Sequence, residues 1–171
     1  MQIPRPFYTV SMFGHRTMTN PDDVADRLHR ALCDVLTTHA QVCFLLGQKG
    51  QFDEIAVREI AHAAQTTGLD PAQTILVLPY LLPEYAHNPG RYAAAFDCVW
   101  VMNGDPRTAY DRRNAMMLDR SDHVIFAVEH PSGGAYAAMW YAKSHDIPYT
   151  NLLHNPTVSF EPVDIDLAVA D

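Results

Sequence analysis

Short apolar runs alternate with stretches of helical periodicity along most of this chain, and that alternation limits its architecture more than any motif does. Residues 7–13 (FYTVSMF), 42–46 (VCFLL), 74–78 (TILVL), 98–102 (CVWVM) and 123–128 (HVIFAV) read as strands, with residues 148–152 as a last short one. Residues 21–38 carry Val24, Leu28, Leu32, Val35 and Leu36 at helical spacing, with Asn20 as the cap and Pro21 at the first helical position. A second helix opens near Gln51 and ends near Thr67-Gly68, where glycine can take the left-handed cap. Asp105-Pro106 is expected to cap a third helix to about Arg120, with Ala109, Arg113, Met116 and Met117 on its inner face. A fourth follows the turn Pro131-Ser132-Gly133-Gly134 and carries Ala135, Ala138, Met139 and Ala142. Strands separated by helices need crossover connections, so the expected fold is a layered α/β domain over residues 1–153 with a mostly parallel sheet.

Two regions break the pattern. Residues 79–96 hold Pro83, Pro89, Gly90, Arg91 and three tyrosines, and read as a flap near a site or a short helix from Pro89. Residues 154–171 form an acidic tail with interspersed apolar residues, expected to pack on its own body or on a partner.

Composition narrows the function classes. With 12 basic and 20 acidic residues among 171, the formal charge of −8 disfavours a nucleic-acid grip, which depends on clustered cations. No apolar run approaches the roughly 18 residues of a membrane span, and no signal peptide is evident, so a cytoplasmic protein is expected. Cys33, Cys43 and Cys98 read as reduced, buried thiols. The nine histidines lack His-x-x-x-His or Cys-x-x-Cys pairing, so no metal site is expected.

In a parallel α/β sheet, ligands sit beyond the carboxyl ends of the strands, where strand order reverses. Polar turns after the first, second and fifth strands would share that rim. Gly47-Gln48-Lys49-Gly50 is either a ligand loop, with helix amides and Lys49 facing an anion, or a tight connection with Asp53 capping the helix. Arg16 is either a phosphate clamp or a solvated loop cation. Arg112, Arg113 and Asn114 are either a charged outer helix face or, with Arg113 three residues before Met116 on the inner side, a cation that needs an anion. Ser121-Asp122 reads as a turn fixed by side-chain hydrogen bonds, and Gly133-Gly134 as a phosphate cradle or a plain turn.

The order of these pieces resembles the SLOG superfamily, the Rossmann-like group embracing the DNA-processing protein A and LONELY GUY families. The matching pieces are Gly14-His15-Arg16, Gly47-x-x-Gly50-x-Phe52-Asp53, Arg113-Asn114-x-Met116, Ser121-Asp122 and Gly133-Gly134. They span roughly residues 7–152 and look closest to an uncharacterised bacterial branch that opens with a Gly-His-Arg-like turn. The resemblance implies a Rossmann-like three-layer fold that binds a nucleotide or nucleotide-derived small molecule at the strand rim, requires no cofactor, and self-associates as a homodimer or higher oligomer. It implies that Gly47, Gly50, Gly133 and Gly134 line phosphates, with Arg113 and Asn114 on the ribose or phosphate side. One departure matters. LONELY GUY enzymes carry Pro-Gly-Gly-x-Gly-Thr-x-x-Glu, whose glutamate acts at the glycosidic bond. Here residues 132–140 read SGGAYAAMW, without the third glycine, the threonine or the glutamate. Glu129, Asp53 and Glu54 are conceivable substitutes, and an N-glycosidic or phosphoribosyl hydrolase would use Glu129 or Asp53 with Arg113. Binding or sensing is therefore expected over catalysis, with hydrolysis and single-stranded DNA handling as alternatives. The expected ligand set is Gly14, His15, Arg16, Gly47, Lys49, Gly50, Phe52, Asp53, Arg113, Asn114, Ser132, Gly133 and Gly134.

Overall fold

The computed structural model describes residues 7–153; the expectation for the 154–171 tail lies outside the described residues. Six strands form one sheet: β1 (Tyr8–Gly14), β2 (Val42–Leu46), β3 (Gln73–Leu78), β4 (Cys98–Val101), β5 (His123–Ala127) and β6 (Tyr149–Asn151). Their spatial order is β4-β3-β2-β1-β5-β6, and every neighbouring pair is parallel. The sheet is therefore wholly parallel and the fold Rossmann-like.

The order dictates the layers. From β1 to β4 the chain steps one way across the sheet, and from β4 it returns to β5 and then steps outward to β6. Right-handed crossovers taken in opposite directions put their helices on opposite faces. Accordingly α1 (Pro21–Thr38) and α2 (Gln51–Thr67) cover one face, where they bury Val10, Met12, Phe44 and Leu46. The short helices α3 (Pro83–His87) and α4 (Gly90–Ala93) lie over Leu76 and Leu78. The helices α5 (Ala109–Asp119) and α6 (Gly133–Ser144) cover the other face, over Phe13, Cys43, Leu45, Ile75, Val77 and Phe126. Adjacent residues of each strand thus serve opposite layers, which is why the strands read as unbroken apolar runs.

Some boundaries differ from expectation. The β1 strand runs one residue further, through Gly14, because its pairing with β5 extends to Ala127. Asp105 does not cap α5: its carboxylate is taken by the Arg107 amide (2.9 Å) and guanidinium (2.7 Å), and the helix opens only at Ala109. On α5 the buried residues are Ala109, Arg113, Met117 and Leu118, while Met116 is half-buried. The 79–96 segment holds two short helices rather than one from Pro89. All three cysteines are free, but only Cys43 is buried, which pushes its thiol up to about 12; Cys33 and Cys98 are half-buried. Among the described residues no helix is long and apolar enough to cross a membrane.

Two aspartates pin strand starts. Asp122 Oδ2 accepts from the Thr9 amide (2.8 Å) while its own amide donates to the Thr9 carbonyl (2.8 Å). Asp97 does the same with Thr74, at 2.7 and 2.9 Å. Ser121, the other half of the expected turn, donates its hydroxyl to Met117 O (2.8 Å) and lies 2.6 Å from the Ser11 hydroxyl.

Candidate functional site

Strand order reverses between β1 and β5. The crossover from β1 leaves on one face and the helix after β5 lies on the other, so the carboxyl ends of this pair open a crevice. The turns after β1, β2 and β5 meet there.

The first turn is braced on both sides. Towards α2, the Arg16 carbonyl accepts from the Gln51 amide (2.8 Å), and the Met18 amide donates to Gln51 Oε1 (2.8 Å). Gly50 caps α2 with φ 123°, and a Cβ there would lie 2.5 Å from Arg16 Cα. Only glycine allows both that backbone angle and that approach. Gly14 abuts Phe52, which is buried in the first turn of α2. Towards β5, the His15 ring stacks on His130 (centroids 3.7 Å), and Glu129 accepts from the Thr19 amide (3.0 Å) and hydroxyl (2.7 Å). Burial, then the neighbouring His130, lowers the His15 pKa, with Glu129 opposing. The Arg16 side chain itself is exposed.

The second turn carries the cationic part. Arg113 reaches from α5 to Gly47, where a Cβ would lie 2.8 Å from Nη1. The residue is 9% exposed, and its guanidinium donates through Nε (3.0 Å) and Nη2 (2.8 Å) to Asn114 Oδ1 and lies over the Tyr110 ring. Among the described residues no carboxylate lies within ion-pair distance of it. Burial pulls its pKa below the ordinary value, while Asp53 and Tyr110 oppose that. Asp53 is pushed up by burial, with the Lys49 amide and Arg113 pulling the other way. Its Oδ2 accepts from the Lys49 amide (2.5 Å), so Asp53 does brace the start of α2, reaching back one residue beyond the cap. Lys49 Nζ bonds the Tyr110 hydroxyl (3.0 Å).

The third turn is the most open. Gly133 (φ 84°) and Gly134 are exposed, and a Cβ on either would meet nothing within 4 Å. Ser132 is the N-cap of α6, yet it makes no capping bond; its hydroxyl pairs with His130 Nδ1 at 2.9 Å. The first turn of α6 contains no acidic residue, whereas α2 has Asp53 and Glu54 there. An anion is thus better received at α6 than at α2.

Direct contacts therefore join Gly14, Arg16, Gly47, Lys49, Gly50, Phe52, Asp53, Arg113 and Asn114 into one cluster. His15 joins it to the third turn through His130, to which Ser132 is bonded, and Glu129 beyond β5 ties the same turn to Thr19. Phe52 is a core residue rather than a rim contact. His130, Tyr110 and Thr19 also belong to the assembly; the sequence carries no local signal for them, because each is defined by a partner far away in the chain. Glu129 and Asp53, the carboxylates a hydrolase would draw on, are both engaged in holding loops. Among the described residues those able to gather around a metal ion, His29, Glu59 and His62, lie on α1 and α2, away from this rim.

No protein-family model matches the sequence, and no curated protein matches it significantly. The fold does match solved structures. DNA processing protein A from Streptococcus pneumoniae aligns with TM-score 0.60 and 16% identity over 84% of this chain and 49% of that one. DNA processing protein A from Helicobacter pylori, solved for its single-stranded DNA binding mode, aligns with TM-score 0.57 and 18% identity over 84% of this chain and 64% of that one. The chain thus spans 49% and 64% of the length of these two proteins, and at such identity the likeness is one of fold.

Proposed function

We propose that the rim between β1, β2 and β5 binds a nucleotide or nucleotide-derived small molecule. The observation that carries this is Arg113: a buried cation seated on Gly47 with no carboxylate in contact. A guanidinium withdrawn from water is favourable only where hydrogen-bond acceptors and negative charge meet it, and Asn114 supplies a single oxygen. A phosphate would supply the rest, helped by the uncapped amides of α6 and by Lys49. Net charge of −8 gives no long-range attraction, so recognition rests on these local donors. Binding is preferred over cleavage because Glu129 and Asp53 are already held by Thr19 and Lys49.

The test is calorimetry of the full chain with AMP, ADP-ribose, NAD and cyclic nucleotides. At least one should bind, and Arg113→Ala should weaken it about ten- to a hundredfold, the equivalent of one charge-assisted bond of ~1.5–3 kcal/mol. Absence of binding by wild type to every member of the set sinks the proposal. The fold shared with a single-stranded DNA-binding protein supports a second reading, in which the same rim receives the phosphates of a strand. Gel-shift titration over a range of salt separates the two, because strand binding weakens steeply with salt.

A further inference from the structure

Where α1 and α2 meet solvent, a second group of side chains has no part in the rim. His29 comes from α1, and Glu59 and His62 lie three apart on one face of α2. Glu59 is 6% exposed, so its carboxylate sits largely out of water between the two imidazoles. Glu59 Oε2 lies 3.1 Å from His62 Nδ1 and 3.5 Å from His29 Nδ1, and the two rings stand 4.1 Å apart between centroids. The first contact is a hydrogen bond. The second is not: His29 Nδ1 is sealed from solvent and has no hydrogen-bond partner. A plain ion-paired helix contact accounts for His62 and leaves the buried nitrogen of His29 unexplained.

We propose that His29 Nδ1, His62 Nδ1 and Glu59 Oε2 form a three-ligand site for a divalent transition metal ion of the zinc type, joining α1 to α2. Zinc holds nitrogen and oxygen ligands at about 2.0–2.1 Å, so two ligands of one tetrahedral ion stand ~3.3–3.4 Å apart. The observed 3.1 and 3.5 Å bracket that edge, and one ligand atom from each of the three residues lies within 4.8 Å of the other two. The partly exposed side of His62 leaves the fourth position to water. Two imidazoles and one carboxylate suit zinc and its transition-metal neighbours, not calcium or magnesium, which take oxygen.

The surroundings orient the ligands. His29 Nε2 lies 3.4 Å from the Thr66 hydroxyl, which itself donates to His62 O (3.0 Å) and so can accept from Nε2, the tautomer that leaves a lone pair on Nδ1. Arg58 Nε donates to Glu59 Oε1 at 3.0 Å, leaving Oε2 free for the ion. Arg58 is mostly exposed, so its charge is screened by solvent. Glu59 follows the first residue of α2 by eight positions, about 12 Å along the axis at ~1.5 Å per residue. The metal site and the rim are therefore separate, and failure of one leaves the other standing.

The experiment titrates Zn²⁺ alone into the chelator-treated full chain by calorimetry, in parallel with thermal melts with Zn²⁺ and with Mg²⁺. Wild type should bind one Zn²⁺ per chain and melt several degrees higher with Zn²⁺ but not with Mg²⁺. His62→Ala, with its melts with and without Zn²⁺ compared against its own metal-free state, should weaken binding at least tenfold and abolish the shift. Glu59→Gln should do the same. No zinc uptake by wild type overturns the proposal, as does equal uptake by wild type and both variants.

Discussion

Adding one methyl group at Gly14 and at Gly134 should have opposite consequences, and the contrast tests how the rim is packed. At Gly14 a Cβ would lie 2.2 Å from Phe52 Cγ and 2.6 Å from its Cβ and Cδ1. Tolerable contact begins near 3.4 Å, so the ring would have to retreat by about 1.2 Å. It has nowhere to go: Phe52 is 1% exposed, and the first turn of α2 is tied to the β1 turn through Gln51. Overpacking of this kind costs ~1–3 kcal/mol, and a ring met at its root belongs at the upper end. For a chain of this size ~3 kcal/mol lowers the melting temperature by roughly 6–12 °C. At Gly134 a Cβ meets nothing within 4 Å, and the residue is the second of α6 without a positive φ. Alanine there should stabilise by ~0.4–1 kcal/mol, or about 1–4 °C. Differential scanning calorimetry at matched protein concentration measures both. A Gly14→Ala variant melting within a degree of wild type would refute the contact between the β1 turn and α2. Nucleotide titration of the stable Gly134→Ala variant adds a second readout: a ligand resting against the α6 amides must feel the new methyl.

Asp122→Ala should destabilise by ~1–3 kcal/mol in urea unfolding, because the buried Thr9 amide loses its acceptor, while Asp122→Asn keeps an oxygen and should lose less; equal losses would refute the assignment. His15 should titrate below 6.5 by NMR, since burial and then His130 favour its neutral form. The stability it contributes is complete above about pH 6.5 and is lost as pH falls from there through the folded value. His123, lowered by burial and then by His39, acts in the same direction. Removing His130 should raise the His15 midpoint, and a wild-type midpoint at or above 6.5 would contradict the stack.

The elements that were readable in advance carry their own local signals. Asn20 does accept from the Asp23 amide, Gly68 does take the left-handed cap, and α1, β2 and α2 fall where cap and periodicity put them. Asp105 misled because its carboxylate resembles a cap but is occupied by Arg107 two residues on. Helices of five and four residues leave no periodicity to read, so nothing local in residues 79–96 announces the first of the pair. Of the site, the glycines and Arg113 were visible through residue type. Nothing in the chain announces that His15 meets a ring 115 positions later, that Glu129 ties down Thr19, or that His29 faces Glu59 across a helix pair. Such pairings exist only once the sheet order is known.

That order also governs how the molecule can assemble as it is synthesised. The chain up to Val101 supplies β1 to β4 with α1 and α2, sufficient to cover one side of the sheet. The opposite side, with Cys43, Leu45, Ile75 and Val77, stays bare until α5 and α6 emerge, and β1 waits more than a hundred residues for β5. Closing so long a loop is slow, and the naked apolar surface is sticky meanwhile. A chain halted before α5 should seek a chaperone or another copy of itself, and the late-arriving helices act as the latch that ends this exposure.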